Sequence, residues 1–236
     1  MAAKPRIVTK KQWLDARKAL LQKEKTFTKE RDALTRSRQA LPWVRVETEY
    51  VFDGTNGRRS LADLFDGRGQ LIVYHFMYHP SWGGEACPSC SFWADNFNGI
   101  IVHLNARDVS MVAVSKARSD QIEAYKKRMG WTFEWLSSHD NDFNRDFGVG
   151  FSAEEMEKGE GYYNYKTQHL AREEMPGMSV FARGPDGGVF HTYSSYGRGI
   201  DMINGAYHLL DTVPKGRDEA SLPWDQAWVR RHDEYE

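Results

Sequence analysis

Leu71-Ile72-Val73-Tyr74-His75-Phe76, followed after the loop Met77 to Ala86 by Cys87-Pro88-Ser89-Cys90, is the stretch on which the fold turns. The first six residues are a nearly continuous apolar run of strand length, as expected of a central strand covered on both faces. Behind the cysteines, Phe92, Trp93, Phe97, Ile100, Ile101 and Leu104 recur at helical spacing, and Val109 to Val114 is a second buried-type run. Strand, cysteine loop, helix and strand in that order predict a parallel crossover unit over Leu71 to Val114.

Toward the N-terminus, Val44, Val46, Thr48, Tyr50 and Phe52 alternate as a half-buried strand does, and Asp53-Gly54 through Asn56-Gly57 supply turn residues. Ser60-Leu61-Ala62-Asp63 predicts a short capped helix stopped by Gly67. Residues 1–42 read as a basic helical arm. Thr9 and Gln12 make a capping box, and Trp13, Leu20, Phe27, Leu34 and Leu41 form one stripe, with charges where a second coiled-coil seam would need apolar groups. Such an arm leaves a homodimer open.

Toward the C-terminus, Ser119 is expected to cap a helix that Gly130 stops, and Phe133 to Ser137 is a candidate strand. Residues 138–175 read as a polar, Tyr- and Gly-rich insertion with one short helix capped by Ser152 and Glu155. Met178 to Arg183 and Val189 to Tyr193 flank Gly184-Pro185-Asp186-Gly187-Gly188 as a hairpin. Asp201 to Leu210 predicts a last helix, and residues 214–236 a mostly polar tail. The domain reading is an arm, a body over 43–213 and that tail.

The totals exclude several classes. With 40% apolar and 28% charged residues the chain is an ordinary globular protein, and its longest apolar run falls far short of the roughly 20 residues that span a bilayer. The charged N-terminus lacks the apolar core of a signal peptide, which predicts a cytoplasmic address. Met1 to Ala40 carry twelve Lys or Arg against four Asp or Glu, leaving −9 on the rest of a chain whose total is −1. A solvated helical face explains this better than nucleic-acid binding. Asp146-Phe147-Gly148 has no phosphate loop to accompany it, and the Asp140 to Asp146 series lacks the glycine and closing glutamate of a calcium loop.

Cys87 and Cys90 are the two cysteines of the chain. In a reducing compartment, a pair three apart beside a strand-helix-strand unit points to redox chemistry. A cysteine at a helix start faces unpaired N–H groups and the positive end of the helix dipole, which favour thiolate over thiol. That makes Cys87 the nucleophile. Pro88 suits the first helical position, having no N–H to lose there, and Cys90, one turn on, can resolve a mixed disulfide. Substrates would be a disulfide-containing small molecule or protein, an external dithiol would restore the pair, and no cofactor is called for. Two alternatives stay open: a peroxiredoxin-like thiol peroxidase passing through a sulfenic acid, and a copper- or zinc-binding module in which His191 joins the sulfurs.

The runs Y-H-F-M-Y-H-P with C-P-S-C-S-F-W-A-D, then F-N-R-D-F-G-V, then P-G-M-S-V-F with V-F-H-T-Y-S resemble the bacterial thioredoxin-like family catalogued as domain of unknown function 899, over about Val8 to Glu219. The resemblance implies an α/β thioredoxin-like fold, a central mixed sheet flanked by helices, and dithiol-disulfide oxidoreduction. It also implies that Pro176 packs beside the active pair after a cis Met175–Pro176 bond. Glu85-Ala86 stands where the wider thioredoxin group has a tryptophan before the first cysteine.

The remaining candidates support the pair. His75 falls where thioredoxins bury an acid that manages the resolving thiol's proton, although a hydrogen-bonded core histidine is its plainer role. His79, Trp82 and Glu85 sit in the preceding loop, a common place for binding groups. Glu85 opposes thiolate formation by like charge. Arg145 and Arg198 are candidates to pair with the Cys87 thiolate, with surface solvation as the alternative.

Overall fold

The computed structural model describes residues 5–55 and 57–236; Met1 to Lys4, part of the charged N-terminus, and Asn56, in the expected turn, lie outside the described residues. The chain divides into two compact units between Pro42 and Trp43. The first contains α1 (Lys10–Gln39), which begins as its spacing predicts: Thr9 Oγ1 accepts from Gln12 N at 3.3 Å and Gln12 Oε1 accepts from Thr9 N at 3.0 Å. No residue of α1 is buried, and Trp13, Leu20, Phe27 and Leu34 are exposed.

The second unit begins with β1 (Val44–Arg45), β2 (Val51–Gly54) and β3 (Gly57–Ser60). The single strand expected over Val44 to Phe52 is therefore two. β1 pairs with Phe190 and His191, while β2 pairs with β3 and, at Asp53, with Ser137 across the sheet. Alternation is the same in both pieces, so periodicity could not reveal that they join different neighbours. Ser60 and Asp63 then exchange hydrogen bonds at the start of a 3₁₀ turn, Asp63–Phe65.

β4 (Gln70–His75) leads through the cysteine loop to α2 (Pro88–Ala94) and α3 (Ile101–Asn105), and then to β5 (Val109–Ser115). β4 and β5 are parallel, in register from Gln70/Val109 to His75/Val114. The expected single helix is broken between α2 and α3. There Asp95 accepts from Trp131 Nε1 at 2.8 Å, and Asn98 Oδ1 accepts from Thr132 N at 2.9 Å. These side chains tie the break to the segment before the next strand.

The chain continues through α4 (Ser119–Arg128), β6 (Trp135–Ser137), α5 (Phe143–Asp146), α6 (Ala153–Lys158), β7 (Glu160–Tyr163) and β8 (Lys166–His169). Arg118, not Ser119, occupies the cap position of α4; its N–H is held by Gln121 Oε1 at 3.1 Å. Ser152 and Glu155 form the expected capping box of α6. β9 (Gly177–Arg183) and β10 (Val189–Tyr196) make the expected hairpin, and α7 (Gly205–Leu210) ends the regular elements of any length. The last helix starts later than expected because Gly197–Ile203 is a 3₁₀ segment and the Asn204 side chain caps α7 through Tyr207 N at 3.2 Å.

The main sheet runs β1-β10-β9-β4-β5-β6-β2-β3, with β7 and β8 as a separate pair. Its centre, β5-β4-β9-β10, sets a parallel pair against an antiparallel hairpin. This is a thioredoxin-like fold, a mixed sheet with flanking helices. Successive side chains of β4 face opposite ways. Leu71 and Val73 join Phe52, Phe65, Phe143 and Phe181 on one face; Tyr74 joins Trp93, Phe97 and Trp135 on the other. The cysteines lie on the Tyr74 face.

Candidate active site

Cys87 is the cap residue of α2, in extended conformation (φ −61°, ψ 122°), with Pro88 as the first helical residue. Its sulfur accepts from Cys90 N at 3.5 Å. Both thiols are free; Cys87 is half-buried and Cys90 buried. The Cys90 thiol donates to Cys87 and is the largest influence that holds the Cys87 pKa down at about 7; burial opposes it, while the N–H groups of Cys90 and Ser89 and the Arg172 guanidinium add to it. Cys90 is pushed well above the ordinary thiol range by burial, then by the neighbouring Cys87 sulfur. Two sulfurs one helical turn apart are thus split into an acidic outer thiol and a protonated inner one.

The backbone ahead of the pair is pinned. Met77 O accepts from Cys87 N at 3.2 Å, and Met77 N donates to Cys90 Sγ at 3.4 Å. The buried Tyr74 hydroxyl has no hydrogen-bond partner within range; burial, and then the nearby Cys90 sulfur, hold it in its neutral form. Beside Cys90 lies a cavity of about 180 Å³ lined by Tyr74, Met77, Trp93, Pro176 and Arg198 among others. Pro176 thus lines one cavity with Cys90, and the Met175–Pro176 bond, expected to be cis, is trans, as is every peptide bond among the described residues. The segment runs extended there, held by Met175 N to Val149 O at 2.9 Å and by Tyr163 Oη to Pro176 O at 2.6 Å.

His75 does not reach the resolving thiol. It follows Tyr74 in the strand and so faces the opposite core, with its ring centroid 5.5 Å from that of Phe143 and its Nε2 2.8 Å from Ser179 Oγ. Ser179 in turn meets Ser194, and Ser194 meets His191 Nε2, each at 2.8 Å. This chain occupies His191 on the face away from the sulfurs, so it cannot complete a metal site with them. Among the described residues, no group of three or more His, Cys, Asp or Glu is disposed to hold a metal ion.

His79 caps a 3₁₀ turn over Pro80–Trp82 and engages Ser81. Trp82 Nε1 donates to Glu173 at 3.0 Å, and Arg172 lies over the Trp82 ring at 5.3 Å. Glu85 is ion-paired with Arg231, which screens the charge expected to oppose the thiolate. Arg198 is exposed at the cavity mouth, 3.6 Å from Asp201, and Arg145 lines a different cavity with Lys116 and Glu174. Arg172, rather than either of these, is the arginine that acts on Cys87.

The segment ahead of β9 supplies groups that local patterns could not announce. Glu174 is buried, accepts from Tyr78 N at 2.9 Å and from Asn144 Nδ2 at 2.7 Å, and is raised to a pKa of about 8, chiefly by burial. Arg172, Glu173 and Glu174 thus underpin the loop that carries the cysteines. A short charged run between two strands offers no clue to such a role.

The profile of a family described as "Bacterial protein of unknown function (DUF899)" matches residues 2–235. The chain is a member of that family. Among curated proteins, none matches the sequence. Solved structures similar in chain course to this DUF899 protein include peroxidoxin BcpB from Mycobacterium tuberculosis, at 14% identity over 69% of this chain and 93% of that one, with a TM-score of 0.45. Peroxiredoxin Q from Xanthomonas campestris is similar at 15% identity over 70% and 91%, with a TM-score of 0.45. Within the DUF899 protein, no helix among the described residues is long and apolar enough to cross a membrane.

Proposed function

We propose that this DUF899 protein is a cytoplasmic thiol-disulfide oxidoreductase. The observation that carries the reading is the asymmetric pair itself, an acidic, half-buried Cys87 at the entrance of α2 above a buried, protonated Cys90. The Cys87 thiolate attacks one sulfur of a substrate disulfide, forming a mixed disulfide and expelling the other sulfur as a thiolate. Cys90 then loses its proton to the departing group or to water and attacks Cys87 Sγ. The second substrate thiolate leaves, and a Cys87–Cys90 disulfide remains. An external dithiol returns two electrons and two protons to the pair. No bound cofactor enters this cycle.

The Met77 N–H donates to the Cys90 sulfur, and the Tyr74 hydroxyl nearby adds to it; both favour the thiolate over the thiol and ease the resolving step. The cavity beside Cys90 admits the leaving part of a small disulfide or a side chain of a protein substrate.

The reduced Cys90→Ser variant, mixed with a small aromatic disulfide, is expected to accumulate a mixed disulfide at Cys87 visible by mass spectrometry, and Cys87→Ser to form none. Equal trapping at either position would refute the assignment. The same pair of variants separates the peroxidase alternative: hydroperoxide consumption with sulfenic acid at Cys87 and no disulfide turnover would favour that chemistry instead.

A further inference from the structure

The carbonyl groups on either side of the Cys87 α-carbon both end on one side chain far away in sequence. Arg231 Nη2 donates to Ala86 O at 2.8 Å, directly ahead of Cys87. Arg231 Nε donates to Tyr125 Oη at 2.7 Å, Tyr125 meets Ser91 Oγ at 2.9 Å, and Ser91 Oγ donates to Cys87 O at 3.0 Å. Arginine only donates, so the chain has one direction: Arg231 to Tyr125, Tyr125 to Ser91, Ser91 to the Cys87 carbonyl. Bonds aligned in one sense reinforce each other.

The guanidinium is itself built in. Its side chain is 11% exposed, its Nη1 meets Glu234 at 2.8 Å, and its Nη2 also pairs with Glu85. The segment that carries it is fastened by Arg128 to Asp233 at 2.7 Å, by His232 to Asp95 at 2.7 Å and by burial of Val229. The tail thus docks on α2 and α4 instead of trailing as a polar end.

We infer that Arg231 is a positioning residue for the redox pair, clasping the two peptide groups around Cys87 so that its sulfur stays aimed at the first turn of α2. This rests on the proposed function above. The peptides on either side fix φ and ψ of the cap residue and so the direction of its Cα–Cβ bond, which leaves rotation about χ1 as the one remaining way for the sulfur to leave the helix entrance. Without the clasp, Cys87 samples positions farther from the Cys90 thiol and N–H, and its thiolate loses the donors that stabilise it. The fork of the guanidinium matters as well as its charge, because it must reach Ala86 O, Tyr125 and two carboxylates at once.

The test is the pH dependence of Cys87 alkylation by iodoacetamide in the full-length reduced protein, located by mass spectrometry, for wild type, Arg231→Gln, Arg231→Lys and Tyr125→Phe. Both arginine variants are expected to titrate at higher pH and to react roughly 3- to 10-fold more slowly at pH 7, while unfolding as cooperatively as wild type. Lysine is expected not to rescue. Tyr125→Phe, which removes one hydroxyl and leaves the Ala86 contact, is expected to shift the same way by a smaller factor, about 2-fold, and keeps the question answerable should the arginine variants not fold. Wild-type profiles in folded Arg231→Gln, full rescue by lysine, or an unchanged Tyr125→Phe overturn the inference. A wild-type Cys87 with an ordinary thiol profile overturns the proposed function itself, so the two failures are told apart by the wild-type curve.

Discussion

At the residue scale, the protein places opposite demands on its buried titrating groups. His75, without room for an imidazolium among Phe143 and Phe147, is lowered to a pKa of about 3 by burial first and by His191 second. Its unfolded value is 6.5, so the unfolded chain binds the extra proton between pH 6.5 and about 3 and stability falls as pH drops through that window. By pH 4.5 the loss from this one group is about 2–3 kcal/mol. Urea unfolding of His75→Phe at pH 7 and pH 4.5 is expected to lack that component; a loss equal to wild type contradicts the assignment. Glu174 runs the other way. Raised to about 8 from 4.5, it contributes stability in full below pH 4.5 and loses it as pH rises through 8. Glu174→Gln, neutral throughout, is expected to gain on wild type between pH 5 and pH 9, and parallel curves would show that the carboxyl is ionised in the fold. The sequence showed His75 and the two cysteines because their types are rare and their neighbours periodic. It hid Tyr74, Arg172 and Arg231, whose types are common and whose partners are up to 145 positions away.

At the scale of elements, the residue before β9, Pro176, lines the same cavity as Cys90 of α2. Gly177 follows Pro176 at the start of that strand, and a β-carbon there would come within 2.7 Å of the Tyr196 ring and 3.1 Å of Val149. Tyr196 is held by its hydroxyl to Phe147 O at 2.9 Å, so it cannot simply swing aside. Gly177→Ala is expected to cost about 1–3 kcal/mol through forced displacement of packed side chains; thermal unfolding measures it, and an unchanged midpoint means the ring yields freely. The central elements were legible because a doubly covered strand, a proline at a helix start and a glycine-rich hairpin turn each leave a local mark. The breaks were not. α2 parts from α3 and α7 starts at Asn204 because Asp95, Asn98 and Asn204 make hydrogen bonds whose need is set by distant backbone. The 44–52 alternation likewise carried no sign that its halves pair with β10 and with β6.

At the scale of the whole molecule, the groups combine into a stability profile. Between pH 4.5 and 6.5 the unfolded chain holds the His75 proton while the folded one holds that of Glu174, so those two slopes cancel, and His79 and His191, both lowered from 6.5 chiefly by burial, leave a net rise of stability with pH. Above 6.5 the Glu174 slope acts alone until Cys87 opposes it. Cys87, lowered to about 7 from 9.0, adds stability that is complete above pH 9 and is lost as pH falls through 7. Chemical unfolding of the reduced protein is therefore expected to show stability rising toward pH 6.5 and no longer rising between 6.5 and 8, with Cys87→Ser falling from pH 7 to 8 where wild type stays level; parallel curves for the two above pH 7 contradict this balance. The larger organisation was legible in outline: the parallel crossover unit and the hairpin follow from patterning, and the fold class from the family resemblance. What the tail does was hidden, because residues 229–234 are polar and irregular and acquire meaning only where α2 and α4 meet them. One sulfur, that of Cys87, carries the proposed chemistry. Its titration in the reduced wild-type protein, followed by the rate of iodoacetamide alkylation at each cysteine from pH 5 to pH 10, is the most direct measurement: a Cys87 midpoint near 7 with Cys90 unreactive throughout is the result expected, and a Cys87 midpoint near 9, or Cys90 reacting first, contradicts the account.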